Sequence, residues 1–315
     1  MIDAIHRIMA DDTAGDPISG LKWSRKTREK ISRQLRRSGI SVSPKTVGRL
    51  LKKLNFKLRV NKKQIARSKS PERNTQFVRI TKMKRTFEKA ENPIVSVDSK
   101  KKEQIGQFKN SGAVLVQEPI KVNDHDFRSD SNGTAVPFGF FEPVANRGHV
   151  FVGTSHDTEH FAVTALRRWW EDDARHRYPN AKRLLILADN GGGNGSRNRM
   201  WKLKLQDQFV DYFKLPVTVC HYPPGTSKWN PIEHRLFSEI SKNWKGQPLN
   251  SYELILKYIR TTKTKTGLSV KATLLRGEFP TGQKVSNQEL ATIRLRPAKI
   301  IPAWNYTLLP RVAKM

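Results

Sequence analysis

Three carboxylates stand where a chain of this pattern can gather them. Asp98 follows the apolar run Ile94-Val95-Ser96-Val97, Asp189 follows Leu184-Leu185-Ile186-Leu187-Ala188, and Glu233 falls in the first turn of a helix opened by Asn230-Pro231. Short β-branched or continuously apolar runs read as buried strands, and strand ends meet on one edge of a sheet, where ligands bind in open α/β folds. Three acids brought together there repel one another and are costly to bury without a cation. Ligands made of oxygen alone suit Mg²⁺ or Mn²⁺. A pair of such ions supports in-line phosphoryl transfer, one lowering the pKa of an attacking water or 3′-hydroxyl and the other stabilising the leaving oxygen. Taken singly, each acid would read as a turn residue or a helix cap. The combination is what points to a metal site.

The elements that must position these acids are visible around them. In His221–Phe237, HYPPGTSKWNPIEHRLF, the strand Val217–Cys220 has just ended and Pro223-Pro224-Gly225 turns the chain. Asn230 is predicted to cap the next helix and Pro231 to occupy its first position. Ile232, Leu236, Phe237 and Ile240 recur at helical spacing on one face. Upstream, strands are expected at Gly106–Val116 and His149–Gly153. Helices are expected over Thr158–Arg177, with Asp157 as cap and Trp169 and Trp170 inward, and from about Ser196 to Phe213. The fold class this implies is α/β, a mixed sheet covered by helices. The glycine loop Gly191–Gly195 lacks the Gly-Lys-Ser/Thr ending of a phosphate-binding P-loop.

The 315 residues carry 59 Lys and Arg against 28 Asp and Glu, a formal net charge of +31, which is the footprint of a polyanion partner, above all nucleic acid. The excess is uneven. Leu21–Lys69 contains eighteen basic residues and a single acid, Glu29. Within it, Thr27–Arg37 and a helix opened by Ser43-Pro44 form a basic pair joined at Ser38-Gly39, resembling a helix-turn-helix in a small all-α domain. Lys45, Arg49, Lys52 and Lys53 on its second helix are candidate DNA contacts. So are Lys100 and Lys101 after Asp98, and Lys228 with the loop tryptophan Trp229. The single cysteine, Cys220, excludes an internal disulfide. No apolar run is long enough to span a membrane, and the N-terminus has no signal-peptide core, so a cytoplasmic, nucleoid-associated protein with no membrane partner is expected. The expected organisation is 1–60 as the helix-turn-helix region, 61–92 as a basic connector, 93–250 as the domain bearing the carboxylates and 251–315 as a C-terminal region.

The phrases SVDSKKKE (Ser96–Glu103), VNDHDF (Val122–Phe127), RRWWE (Arg167–Glu171), PPGTSKWNPIEHRLFSEIS (Pro223–Ser241) and WNYT (Trp304–Thr307) resemble the ISAzo13 family of insertion-sequence transposases. The resemblance runs from about Trp23 to Leu308. It implies an RNase H-like core in which Asp98, Asp189 and Glu233 form a DDE triad. It also implies Mg²⁺-dependent cleavage of double-stranded DNA at transposon ends, strand transfer into target DNA, and a homodimer or larger assembly on that DNA. Two features depart from the family pattern: a shorter N-terminal region, and Asn190 where a glycine usually follows the second aspartate. The competing readings are an RNase H-type nuclease that cuts without joining, and a non-catalytic DNA-binding protein descended from a transposase.

Overall fold

Ser and Thr hydroxyls satisfy the free N–H groups of a helix's first turn, and Thr27 and Ser43 do so at the two helices expected near the N-terminus. In the computed structural model, which describes residues 1–11, 13–15, 22–24, 26–56 and 71–312, Thr27 accepts from the Lys30 amide and Ser43 from the Thr46 amide, each at 3.2 Å. The chain divides into two compact units, 1–65 and 66–315. The first contains α1 (Ile2–Asp11), an antiparallel pair of β1 (Thr13–Gly15) and β2 (Lys22–Ser24), α2 (Arg28–Arg37) and α3 (Pro44–Lys53). Ile5, Ile31, Leu35 and Val47 form its buried core. The expected boundary at 60/61 lies outside the described residues.

The second unit runs α4 (Arg73–Lys89), β3 (Ile94–Ser99), β4 (Glu103–Gln104), β5 (Thr134–Glu142), β6 (Arg147–Gly153), α5 (Glu159–Trp169), α6 (Arg175–Arg177) and β7 (Leu184–Ala188). It continues with α7 (Arg199–Leu205), α8 (Asp211–Phe213), β8 (Val217–His221), α9 (Ser238–Asn243), α10 (Tyr252–Arg260) and β9 (Ser269–Leu275), and ends with α11 (Asn287–Ala291), β10 (Leu295–Pro297) and β11 (Asn305–Leu308). The main sheet has the order β10-β11-β8-β7-β3-β5-β6-β9, with β4 on β5. β5 runs antiparallel to both of its neighbours β3 and β6, while β7 runs parallel to β3 and β8 parallel to β7. This is the RNase H-like arrangement. Helices cover both faces, and β7 shows why its sequence is apolar throughout: Leu184, Ile186 and Ala188 pack on one side, Leu185 and Leu187 on the other.

One expected strand needs correction. Gly106–Val116 is not a strand, and within it Leu115 is fully exposed. The strand in question is β5, hidden in the sequence by Pro137 and Gly139, two residues that ordinarily argue against a strand interior. Pro137 is harmless there because its ladder face looks towards β3 just past that strand's end, where its carbonyl still accepts from Lys100 N at 2.9 Å. Residues on either side of 92/93 and of 250/251 lie within the second compact unit. α4 packs Ile80 and Phe87 against Leu185 and Leu187, and β9 and β11 extend the sheet on its two sides. Finally, the helices after β6, β7 and β8 contain π-helical turns, at Trp170–Ala174, Gln206–Val210 and Glu233–Phe237.

Gly139 is required by close approach. It pairs with Asp98 across β3 and β5, and a Cβ at that position would stand 2.6 Å from a Phe237 ring carbon and 2.9 Å from Ile232 Cδ1. The helix carrying Glu233 therefore rests directly on backbone beside Asp98. Gly139→Ala is expected to lower stability by about 1–3 kcal/mol through overpacking, read by denaturant unfolding; an unchanged midpoint would show that the helix yields freely.

Candidate active site

Side chains alternate along a strand, so Asp98 shares a face with Ser96 and Ile94, and Asp189 with Leu187 and Leu185. β3 and β7 are parallel with Val97 opposite Ala188, which makes the two aspartates the next residues in register on adjacent strands. The face they share is covered by α4 and by the helical segment that opens with Pro231, whose first turn carries Glu233. Ile232 and Phe237 are buried in that covering layer. The sequence-predicted trio is thus brought together by strand register, strand alternation and one close-packed helix.

Electrostatics reflect that gathering. Burial above all, then the charges of Asp189 and Glu233, push the Asp98 carboxyl up to about 8, against a smaller opposing effect of the Ser99 amide, which donates to Asp98 Oδ1 at 2.8 Å. Asp189 is also raised, first by burial and further by Glu233, although a hydrogen bond from Asn230 works the other way. Among the described residues, none of the three forms an ion pair with Lys or Arg. In a chain with 59 such residues, that is a marked exclusion. The donor set, carboxylate oxygen without thiolate, fits a hard divalent ion. The trio does not close into a ready-made cage: among the described residues, no group of three or more His, Cys, Asp or Glu has that geometry.

Two residues expected as helix caps have other work. The Asn230 main-chain carbonyl receives the Glu233 amide at 3.1 Å, but its fully buried side chain turns inward. Its Nδ2 donates to Asp189 Oδ1 at 3.0 Å and lies 3.4 Å from the Val97 carbonyl, and its Oδ1 accepts from the Ser96 hydroxyl. Asp157 is not the cap of α5; Thr158 is, accepting from Phe161 N at 3.3 Å. Asp157 instead accepts from Ser99 Oγ at 3.0 Å, one residue beyond Asp98, and burial raises its pKa. Only tertiary contacts reveal either role, because Asn and Asp before a helix look like caps in any sequence.

His221 supports the site from behind. It is fully buried, burial holds its pKa down at about 4, and Nδ1 lies 2.9 Å from the Asp189 carbonyl. A neutral ring facing a carbonyl must carry its proton on Nδ1. Gln76 from α4 fastens the other side, donating to the His221 carbonyl at 2.7 Å. His234 is exposed.

The basic candidates separate into two sets. Lys100 is not free to grip phosphate: its Nζ pairs with Glu103 at 2.8 Å and lies 4.5 Å from the Trp244 ring, with the side chain 10% exposed. Lys101 and Lys228 are exposed. Trp229 is 51% exposed, with one edge against Phe77. Lys45, Arg49, Lys52 and Lys53 are exposed on α3 in the other compact unit. Trp169 and Trp170 are core residues, Trp169 stacking on Phe140 at 5.5 Å.

An RNase H-like sheet with acids at the ends of its first and fourth core strands has the architecture of nucleases and DNA transferases. Within that class the chain belongs to the family described as the Rhodopirellula transposase DDE domain, whose model matches residues 4–310; it is a DDE transposase. No curated protein matches it. Among solved structures it is similar to the Mos1 transposase paired-end complex with left transposon end, at 14% identity, TM-score 0.45, over 82% of this chain and 69% of that one. It is also similar to the mariner Mos1 paired end complex with Mg, at 14% identity and TM-score 0.46, over 82% and 69%. The Mos1 mariner paired end complex with Mn is similar at 14% identity and TM-score 0.42, over 82% and 70%. Among the described residues no helix is long and apolar enough to cross a membrane.

The raised Asp98 pKa has a measurable sign. Folding strengthens proton binding there, so its contribution to stability is full below the unfolded pKa near 4 and is lost as pH rises towards about 8. His149 and His221, both held down near 4, act below their unfolded pKa of about 6.5, so the window from pH 6.5 to 8 isolates the acid. In chelator, the melting temperature is expected to fall across that window and Asp98→Asn to flatten the fall. Parallel wild-type and variant curves would contradict the electrostatic reading.

Proposed function

We propose that Asp98, Asp189 and Glu233 are the catalytic carboxylates of this transposase, holding two Mg²⁺ or Mn²⁺ ions while it cuts DNA at the ends of its element and joins the freed 3′-hydroxyl to target DNA. The observation that carries this reading is the gathering of three carboxylates, one pushed up to about 8, with no basic side chain among the described residues paired to them. Among the described residues no cation is paired with them, and a divalent ion would neutralise them. Bound there, the ions would activate the attacking oxygen and stabilise the leaving one. The chain's own part is to hold the carboxylates in register, with hydrogen bonds from Ser99 N–H to Asp98 and from Asn230 to Asp189 that favour the ionised form a cation would bind.

Lys101, Lys228 and Trp229, exposed in the segments next to Asp98 and Glu233, would receive the DNA backbone or a base, and the exposed cations of α3 would supply sequence-independent grip. Two ends must be held together for one transposition event, so the working form on DNA is a homodimer or larger, acting in the nucleoid. Strand transfer by a metal-activated hydroxyl needs no covalent protein–DNA intermediate.

Asp98→Ala, Asp189→Ala and Glu233→Ala are each expected to lower Mg²⁺-dependent cleavage of end-bearing duplex by about a thousandfold or more while DNA binding persists in chelator. A variant that cuts normally would remove its residue from the triad. Pre-cut ends are expected to join to target DNA; cleavage without joining would make the protein a nuclease alone. Replacing Lys45, Arg49, Lys52 and Lys53 together by Ala is expected to reduce the slope of log affinity against log salt by roughly 3 to 4, and an unchanged slope would place the DNA elsewhere.

A further inference from the structure

Asn230 joins two parts of the site that strand register alone does not connect. Asp189 stands at the end of β7 and Glu233 on a helix beyond β8. Asn230 touches both, its amide nitrogen on Asp189 Oδ1 at 3.0 Å and its main-chain carbonyl on Glu233 N at 3.1 Å. The side chain is itself oriented. The Val97 carbonyl and the Asp189 carboxylate both accept, so the amide nitrogen must face them, which leaves the amide oxygen for the Ser96 hydroxyl. Ser96 is fully buried in β3, two residues before Asp98 on the same face.

We propose that Asn230 is a positioning residue, fixed by Ser96, that sets the separation of Asp189 and Glu233 for divalent-ion binding. An amide suits this place because it offers a donor to the carboxylate and an acceptor to the serine while adding no charge to three existing acids. Aspartate would lack the donor, and serine would not span from β3 to Asp189. The inference rests on the proposed metal role of the carboxylates, and residues that orient metal ligands typically change affinity by about 10- to 100-fold when removed.

The test measures Mn²⁺ binding to the full chain without DNA, by the loss of the free-ion EPR signal, alongside thermal unfolding in chelator. Asn230→Ala is expected to weaken binding about tenfold and Ser96→Ala by a smaller factor in the same direction. Ser96→Ala/Asn230→Ala is expected to bind like Asn230→Ala alone, because Ser96 acts only through the amide. A merely structural role would lower the unfolding temperature and leave Mn²⁺ affinity of the folded protein unchanged. Should Asn230→Ala fail to fold, Ser96→Ala carries the test. Asn230→Ala binding within about twofold of wild type, or two single effects that multiply in the double variant, overturns the proposal. Wild-type binding that is indifferent to Asp189→Ala overturns instead the metal reading on which it rests.

Discussion

Burying like charges side by side is among the most expensive things a fold can do, and much of this protein's second unit is arranged around that cost. The chain has basic residues in abundance, yet none of the described ones is paired with Asp98, Asp189 or Glu233. Lys100, two residues from Asp98, is turned towards Glu103 and Trp244. What the acids receive is neutral: the Ser99 amide and the Asn230 amide. Neutral donors orient a carboxylate without cancelling its charge, which leaves that charge for a mobile partner. On the proposed reading the partner is a pair of divalent ions and, beyond them, DNA phosphate.

Placement follows from the sheet. Parallel pairing of β3 and β7 sets the two aspartates side by side, and alternation points both to one face. Gly139, opposite Asp98, lets the Glu233 helix lie on bare backbone. His221 and Gln76 hold the rear of the same layer. The rigidity of a close-packed sheet thus takes the place of a salt bridge in holding the acids together.

Much of this could be read from residues alone. The apolar runs ending at Asp98 and Asp189 mark strands, the Asn-Pro start marks the Glu233 helix, and the hydroxyl caps at Thr27 and Ser43 mark the basic helix pair. What escaped reading depended on distant contacts. β5 was concealed by Pro137 and Gly139, whose suitability appears only once β3's end and Phe237 are in place. Asn230 and Asp157 resembled caps because local sequence cannot show that a side chain turns inward. β9 and β11 carry no mark that they join a sheet begun at Ile94, since pairing across such sequence separation leaves no short-range pattern. Lys100 looked available for phosphate because an ion pair three residues away is not distinguishable from a solvated one.

The central claim, that these three acids are ligands for divalent ions, is tested most directly by crystals of the protein bound to end-bearing DNA and soaked in Mn²⁺. Anomalous scattering is predicted to place two Mn²⁺ ions against the carboxylates of Asp98, Asp189 and Glu233. Fully occupied manganese bound elsewhere, with these three carboxylates free of it, would contradict the account.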